Sequence, residues 1–155
     1  MIIVSACLLG LNCRYDGECR PDRDLLSSDL RNCCVPVCPE QLGGLPTPRA
    51  PSEIIEGDGL DVLEGRSRIL SSSGIDVTGC FIRGANEVMR IVELTQIRTA
   101  IMKEKSPSCG VYHIKKNGYV EQGSGVTAAL LMRHGIRVIS SDMIKETLEL
   151  GTCLL

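Results

Sequence analysis

Cysteine is the residue type in this 155-residue sequence that is best suited to chemistry, and it occurs nine times. Three of the nine, Cys7, Cys38 and Cys109, each come soon after a short apolar run. Pro39-Glu40 follows Cys38, and Ser106-Pro107-Ser108 precedes Cys109. Any one of these thiols could be a buried core residue, but turn-forming neighbours with polar side chains are typical of a loop at a site. We therefore expect the three thiols to be ligands.

The spacing of the cysteines does not match the common zinc sites. No two of them form a C-x-x-C pair, which removes the zinc-ribbon and thioredoxin spacings. A tetrahedral zinc would need a fourth ligand, and the only histidines are His113 and His134, the second of which is expected at the surface. A [4Fe-4S] cluster on three thiolates instead leaves one iron open to a substrate atom, and sulfur is the atom that such an iron prefers.

The other six cysteines lack these surroundings. Cys13 shares the first loop with Cys7 and is the best reserve ligand, whereas Cys33-Cys34 stands where a helix should end and is expected to pack. No role is predicted for the remaining three, which are Cys19, Cys80 and Cys153. Two alternatives stay open. With Cys13 as a fourth ligand the cluster would be closed and the protein a redox or sensing module, and a non-catalytic zinc-binding domain is the second rival.

Composition and charge limit the class of partner. A hydrophobic fraction of 43% can fill one core, so we expect a single domain of residues 1–155. A net charge of -2 and an aromatic fraction of 3% provide neither a phosphate-binding face nor stacking platforms, and no nucleic-acid partner is expected. The N-terminal apolar run lacks a preceding basic segment and meets polar residues by Asn12, unlike a signal peptide or a membrane span. We expect no membrane partner and a cytoplasmic location, where cysteines bind metal rather than form a disulfide framework.

Periodicity predicts the elements that position these residues. Short runs rich in β-branched residues predict buried strands at residues 2–4, 35–37, 99–102 and 136–139. Helical spacing follows or precedes them at residues 24–31, 86–96, 126–132 and 143–150. This alternation predicts an α/β fold with a single parallel, Rossmann-like sheet wrapped by helices. Residues 47–79 are expected to form an irregular insertion with short strands at best, and residues 112–120 a β-hairpin closed by Asn117-Gly118.

Such a sheet would bring the three cysteines together. Cys7 follows the first predicted strand, Cys38 follows the second, and Cys109 lies in the loop after the third. Ligands of an open parallel sheet bind outside the carboxyl ends of its strands. Thiols that are far apart in sequence would therefore meet at one site, as a cluster requires.

Three blocks of sequence resemble a known bacterial family. They are SACLLG at 5–10 with CRYDG at 13–17, CPE at 38–40 with GGLPTPR at 43–49, and KSPSCG at 105–110. In this order they resemble the thiouracil desulfidase family, formerly listed as a domain of unknown function, and the match covers nearly the whole chain.

The resemblance implies both a cofactor and a reaction. It implies an oxygen-sensitive [4Fe-4S] cluster on Cys7, Cys38 and Cys109, supplied by iron–sulfur assembly machinery. It also implies non-redox, hydrolytic desulfuration of a thiolated nucleobase such as thiouracil, which gives uracil and hydrogen sulfide. In that picture the open iron takes the sulfur while water replaces it on carbon, and Glu40 and Ser106 are the catalytic partners.

The side chains themselves agree with these roles. Replacing a thiocarbonyl sulfur by oxygen needs a base that activates water and an acid that protonates the ring nitrogen or the departing sulfide. Glu40 could serve these proton transfers, and the Ser106 hydroxyl could donate to developing charge or steer the water. The plainer alternatives are a surface carboxylate at Glu40 and a turn residue at Ser106. Arg14 is a candidate for substrate binding that could equally pair with Asp16, for which we expect a structural role.

Overall fold

The computed structural model of the chain describes residues 1–149. The strands in chain order are β1 (Ile2–Ser5), β2 (Cys34–Val37), β3 (Ser52–Ile54), β4 (Ile69–Ser71), β5 (Thr99–Met102), β6 (His113–Lys116), β7 (Tyr119–Gln122) and β8 (Arg137–Ser140). The α-helices are α1 (Arg23–Ser27), α2 (Pro39–Leu42), α3 (Gly59–Leu63), α4 (Thr78–Thr95), α5 (Val126–Arg133) and α6 (Ile144–Glu149). Short 3-10 turns are formed by Ala6–Leu9, Asp29–Cys33 and Ser141–Met143.

The predicted α/β fold is confirmed, since four parallel strands form one sheet in the order β2-β1-β5-β8. The two central strands, β1 and β5, are buried along their whole length, as continuous apolar runs in a parallel sheet require. Pro36 is tolerated within β2 because this strand lies at the edge and pairs only with β1.

Helices cover both faces of the sheet, and successive residues of β1 face them alternately. Ile2 and Val4 pack in one apolar cluster with buried residues of α1 and α6. Ile3 packs in the opposite cluster with residues of α4 and α5. Burial on both sides fixes the sheet, so that the loops at its carboxyl end have a rigid base.

The hairpin predicted near residue 117 is confirmed as β6 and β7. Asn117 and Gly118 have φ values of 51° and 79°, the left-handed backbone that a type I′ turn needs. The N–H of Asn117 donates a 2.7 Å hydrogen bond to Oε2 of Glu53, which ties the hairpin tip to β3.

The insertion is more ordered than the sequence indicated. β3 and β4 are the expected short antiparallel strands, but the prediction of strands at best was wrong because α3 lies between them. A capping box starts this helix: Asp58 accepts from the main chain of α3 while the Asp61 carboxylate accepts from the N–H of Asp58. Two aspartates three residues apart therefore carry a signal that the surrounding glycines obscured.

Helix α4 begins at Thr78, well before the predicted start at residue 86. Gly79 and Gly84 weaken the helical pattern there, but close packing requires the second of them, since a Cβ at Gly84 would clash with the Pro39 carbonyl oxygen. A Cβ at Gly43 would likewise clash with the Cys80 carbonyl. The glycines thus let α2 lie directly against α4. This contact positions Glu40, the residue that follows Pro39.

Two predicted helices differ at their ends. The helix predicted for residues 24–31 ends at Ser27, because the hydroxyl groups of Ser27 and Ser28 donate to main-chain carbonyls and compete with the helical pattern. The last helix is described to Glu149, so the predicted end at Leu150, together with Cys153, lies outside the described residues. None of the helices in the described range is both long and apolar enough to span a membrane.

Candidate functional site: a cysteine-lined cavity

Cys7, Cys38 and Cys109 lie beyond the carboxyl ends of three adjacent strands. Cys7 is in the 3-10 turn after β1, Cys38 directly precedes α2 at the end of β2, and Cys109 is in the loop after β5. The chain leaves β1 for β2 on one side and later returns to β5 on the other, so this edge is the switch point where open parallel sheets bind ligands. The structure therefore brings the three cysteines together.

One cavity of about 270 Å³ opens at this edge, and all three thiols line it. Every other site residue predicted from the sequence lies in the same wall: Glu40, Ser106 and Arg14. Cys7 and Cys109 are each only 7% exposed, so their thiols are buried beneath the cavity floor rather than displayed at its mouth. Four further cationic residues also line the cavity, namely Arg49, Lys103, Lys105 and Lys115.

Cys13, the reserve ligand, also lines the cavity and is 4% exposed. Its carbonyl oxygen accepts a 3.5 Å hydrogen bond from Sγ of Cys38, and its thiol interacts with those of Cys7 and Cys38. Four thiols therefore share one site, and the closed-cluster alternative keeps a structural basis.

Crowding and burial raise the pKa values of these thiols. The pKa of Cys13 is raised to about 11, because the interaction with Cys38, which lowers it, is outweighed by the interaction with Cys7 and by burial. Burial raises the pKa of Cys109 to about 12. The pKa of Cys38 is also raised, first by Cys13 and then by burial. A bound metal cation would lower these pKa values again, since thiolate is the form that ligates metal.

Ser106 shapes the loop that carries Cys109. Its Oγ accepts hydrogen bonds from the main-chain N–H groups of Ser108 at 3.2 Å and Cys109 at 3.1 Å. In both contacts the oxygen is the acceptor, so the hydroxyl hydrogen remains available to donate. Ser106 is thus the turn residue of the plainer alternative and at the same time lines the cavity, as the catalytic alternative requires.

Glu104 anchors the other end of this loop, and sequence reasoning missed it. Its carboxylate, 1% exposed, accepts from the N–H groups of Val111, Tyr112 and His113 and from the hydroxyl of Ser140. A buried carboxylate with four donors is well compensated. Glu104 stands between two lysines, a pattern typical of a solvated charge run, so no local signal reveals its burial.

Glu40 sits in the first turn of α2 with its side chain 16% exposed. Its Oε2 accepts a 2.7 Å hydrogen bond from Nε of Arg49, whose own side chain is 6% exposed. The surface carboxylate of the plainer alternative is therefore not what the fold contains. Arg49 is the second residue that sequence reasoning missed, although it closes the GGLPTPR block.

Comparison with known proteins places this geometry in a family. The family model described as 2-thiouracil desulfurase matches residues 2–143. The chain belongs to the 2-thiouracil desulfurase family. The family predicted from the three sequence blocks is thereby confirmed.

Two relatives of this desulfurase family show how far the likeness extends. A Bacillus subtilis (strain 168) protein, the uncharacterized protein YbbK, is 42% identical over 151 residues, which cover 96% of this chain and all of that protein. The solved structure of the [4Fe-4S]-dependent thiouracil desulfidase TudS is 41% identical, covers 97% of both chains and superposes with a TM-score of 0.81. The cofactor predicted here is thus the one on which this solved relative depends.

The thiols of this desulfurase-family chain suit a cluster better than a single ion. Within residues 1–149 no three or more His, Cys, Asp or Glu side chains are grouped closely enough to hold one metal ion. A zinc ion needs every ligand within about 2.0–2.3 Å of one point, whereas the thiolates of a [4Fe-4S] cluster bind different irons and stand farther apart. Two buried thiols and the half-buried thiol of Cys38 around one cavity provide such a donor set.

Arg14 pairs with the neighbour that the sequence suggested. Its Nε and Nη2 donate to the two carboxylate oxygens of Asp16 at 3.1 and 2.8 Å, and its guanidinium lies 5.3 Å from the Tyr15 ring centre. The guanidinium lowers the pKa of Asp16 to about 2. Asp16 thus holds the Arg14 side chain in place. Arg14 also lines the cavity, and its contact with substrate stays a prediction.

The remaining described cysteines and His134 lie away from the cavity. Cys34 packs against the core and its thiol donates to the Leu30 carbonyl, whereas Cys80 lies on α4, where Nη2 of Arg83 contacts its sulfur at 3.4 Å. His134 follows α5 directly and is exposed, in agreement with its predicted surface position.

Proposed function

We propose that the protein removes sulfur from a thiolated nucleobase such as 2-thiouracil by hydrolysis, giving uracil and hydrogen sulfide. The observation that carries this proposal is the convergence of Cys7, Cys38 and Cys109 on one cavity that also contains Glu40 and Ser106. Membership of the 2-thiouracil desulfurase family and the likeness to TudS support it.

Cys7, Cys38 and Cys109 would hold a [4Fe-4S] cluster in this cavity. When bound, the cluster would supply one iron without a protein ligand, a Lewis acid for the thiocarbonyl sulfur. Cys13 is left out of the ligand set because the family resemblance implies three ligands, and its main-chain carbonyl serves the site by accepting from Nη1 of Arg49.

Glu40 would handle the protons. The reaction replaces C=S with C=O and consumes one water, both of whose hydrogens leave as hydrogen sulfide, so no electrons are needed. The carboxylate has one oxygen anchored by Arg49, while Oε1 accepts no hydrogen bond within residues 1–149. That oxygen can take a proton from the attacking water and return it to the ring nitrogen or the departing sulfide.

Ser106 would contribute a hydrogen-bond donor. Two main-chain N–H groups occupy its oxygen as acceptor, so the hydroxyl hydrogen is free to donate. A donor held in this way can stabilise negative charge that develops on the substrate or orient the water, and it needs no rearrangement during the reaction.

A closed four-cysteine cluster is the second candidate, and the position of Cys13 favours it. Its thiol is buried in the same cavity and interacts with Cys7 and Cys38. With four thiolate ligands every iron would be coordinated, and the protein would transfer electrons or sense redox state. The requirement for Cys13 in cluster binding separates the two candidates.

The compartment proposed is the cytoplasm, with the iron–sulfur assembly machinery as partner. All eight cysteines of the described range are free thiols. A buried thiol site of this kind needs a reducing environment and a donor of iron and sulfide.

Anaerobic turnover of 2-thiouracil tests the function. Protein prepared without oxygen should release sulfide and uracil in equal amounts without an electron donor, and oxygen from labelled water should appear in uracil. Glu40→Gln should keep the iron while turnover falls by about two orders of magnitude, the usual scale for a lost general acid or base. Glu93→Gln, an exposed carboxylate on α4, is the matched control. A stoichiometric need for reductant would refute the hydrolytic scheme.

A further inference from the structure

Arg49 makes four side-chain hydrogen bonds in the cavity wall. Its Nη1 donates to three acceptors, the Cys13 carbonyl at 3.1 Å, the Pro46 carbonyl at 3.2 Å and Oγ1 of Thr47 at 3.1 Å. Its Nε donates to Oε2 of Glu40 at 2.7 Å. Four contacts from one buried guanidinium fix its plane, and the plane fixes the direction of the Nε–H bond.

The acceptors come from separate parts of the chain. Cys13 belongs to the loop after β1, Pro46 and Thr47 to the loop between α2 and β3, and Glu40 to α2. The main-chain N–H of Arg49 also donates to the Tyr15 carbonyl at 2.8 Å, a further tie to the first loop. Arg49 therefore joins the loop of Cys7 and Cys13 to the helix that carries Glu40.

The ion pair between Arg49 and Glu40 also balances charge in the cavity. Glu40 stands two residues after Cys38 and lines a cavity whose cysteines become anionic as thiolates, and Arg49 is the cationic residue of the lining that forms an ion pair with it. Without a counter-charge the carboxylate would be repelled toward solvent, and the guanidinium opposes this over a short, charge-assisted hydrogen bond.

We propose that Arg49 is a positioning residue for Glu40, holding one carboxylate oxygen so that the other faces the substrate in a single orientation. The inference rests on the proposed proton-transfer role of Glu40. It assigns to Arg49 no contact with substrate. Lysine should not replace it, because a single ammonium cannot keep the separate Nη1 and Nε contacts in one fixed plane.

A double-mutant cycle tests the functional side of the proposal. Arg49→Ala should keep the iron content and visible spectrum while kcat for 2-thiouracil falls about ten- to a hundredfold, with KM changed by less than about threefold. In the Glu40→Ala background the same change should have almost no further effect, since the residue through which Arg49 acts is gone. Guanidinium at millimolar concentration should restore part of the turnover in Arg49→Ala but none in the double variant.

Further variants keep the test decisive. Arg49→Lys should remain close to Arg49→Ala in kcat, and Arg49→Gln takes the place of Arg49→Ala in the cycle if the alanine variant fails to fold. Arg66→Ala, which removes an exposed arginine paired with Asp61 outside the cavity, should match the parent. An equal loss on removing Arg49 with and without Glu40 would overturn the proposal.

A crystal structure of Arg49→Ala separates failure of this inference from failure of the proposed function. The Glu40 carboxylate should leave its parental position or occupy more than one rotamer. An unmoved carboxylate would overturn the positioning role whatever the activity. Parental turnover in Glu40→Ala would instead overturn the proton-transfer role of Glu40, and with it the part of Arg49 in the reaction. The hydrogen bond from Arg49 to Glu40 would still be a feature of the structure.

Discussion

The Cys38 thiol donates a 3.5 Å hydrogen bond to the carbonyl oxygen of Cys13. This contact uses the main chain of Cys13, so a substitution at that position leaves it in place. In the three-ligand scheme Cys38 is a thiolate without a proton to donate, so the main chain of Cys13 serves the site through its contact with Arg49, and its thiol is dispensable for holding iron.

Cys13→Ser is the first prediction. The variant should keep the iron content, the visible spectrum and most of the turnover, because Cys7, Cys38 and Cys109 remain. Cys13→Ala should behave alike in iron and sulfide analysis. Loss of iron in both variants would show that Cys13 is a ligand and that the cluster is closed, which favours the redox module.

The second prediction concerns the cofactor itself. Protein isolated without oxygen should be brown, with about four irons and about four inorganic sulfides per chain. Cys7→Ala, Cys38→Ala and Cys109→Ala should each lose most of the iron, because every thiolate binds a corner of the same cluster. Cys34→Ser and Cys80→Ser are matched controls away from the cavity and should keep it. One equivalent of zinc without iron would contradict the assignment.

The sheet, and the meeting of the three candidate cysteines at its edge, could be predicted from the sequence because both depend on local patterns. Apolar runs mark β1, β2, β5 and β8, and each candidate cysteine lies in the loop that follows one of the first three. Parallel topology then dictates that these loops meet at one edge.

The contacts of Arg49 and Glu104 could not be predicted, because they depend on tertiary packing. Arg49 is nine residues from Glu40 and 36 from Cys13, and it lies in a Pro-rich loop without periodicity. Glu104 resembles an exposed residue until three N–H groups of one turn are seen to point at it. The predicted start of α4 was wrong for a related reason. Gly84 lowers helix propensity, yet the close contact between α4 and Pro39 requires a glycine there.

The third prediction is the titration of Asp16. Its pKa is lowered to about 2, chiefly by the hydrogen bonds from Arg14. The stabilisation by this pair is therefore complete above the ordinary pKa of 3.8 and is lost as the pH falls through about 2. NMR of the carboxyl carbon should show the low midpoint, and Arg14→Ala should raise it toward 3.8. An unchanged midpoint in that variant would mean that the main-chain N–H of Glu18 holds the carboxylate instead.

Arg14→Ala also tests the predicted substrate contact. If Arg14 binds substrate, the variant should raise KM for 2-thiouracil with kcat nearly unchanged, since ground-state binding alone is lost. Arg20→Ala, an exposed arginine paired with Glu18, is the matched control. Parental KM in Arg14→Ala would limit Arg14 to its pair with Asp16.

Glu104 carries the fourth prediction. Glu104→Ala would leave the N–H groups of Val111, Tyr112 and His113 without their buried acceptor, and an unsatisfied buried group costs about 1–3 kcal/mol. The free energy of unfolding in urea should fall by about 3 kcal/mol or more, and iron should be lost because the Cys109 loop loses its anchor. Glu104→Gln keeps one acceptor oxygen and should lie between parent and Glu104→Ala. A parental urea midpoint in Glu104→Ala would contradict this account.

The last prediction separates the two functions of Ser106. Ser106→Ala removes both the acceptor that organises the turn at Cys109 and the hydroxyl that can donate into the cavity. Ser106→Thr keeps both groups on a slightly larger side chain, so it should retain iron and much of the turnover. Loss of a preorganised donor costs about 100- to 1,000-fold in kcat, whereas loss of the turn alone would act through the cluster and lower iron content in proportion to activity. We expect Ser106→Ala to keep most of its iron while turnover per iron falls by about two orders of magnitude. Turnover per iron that equals the parental value would show that Ser106 only holds the turn.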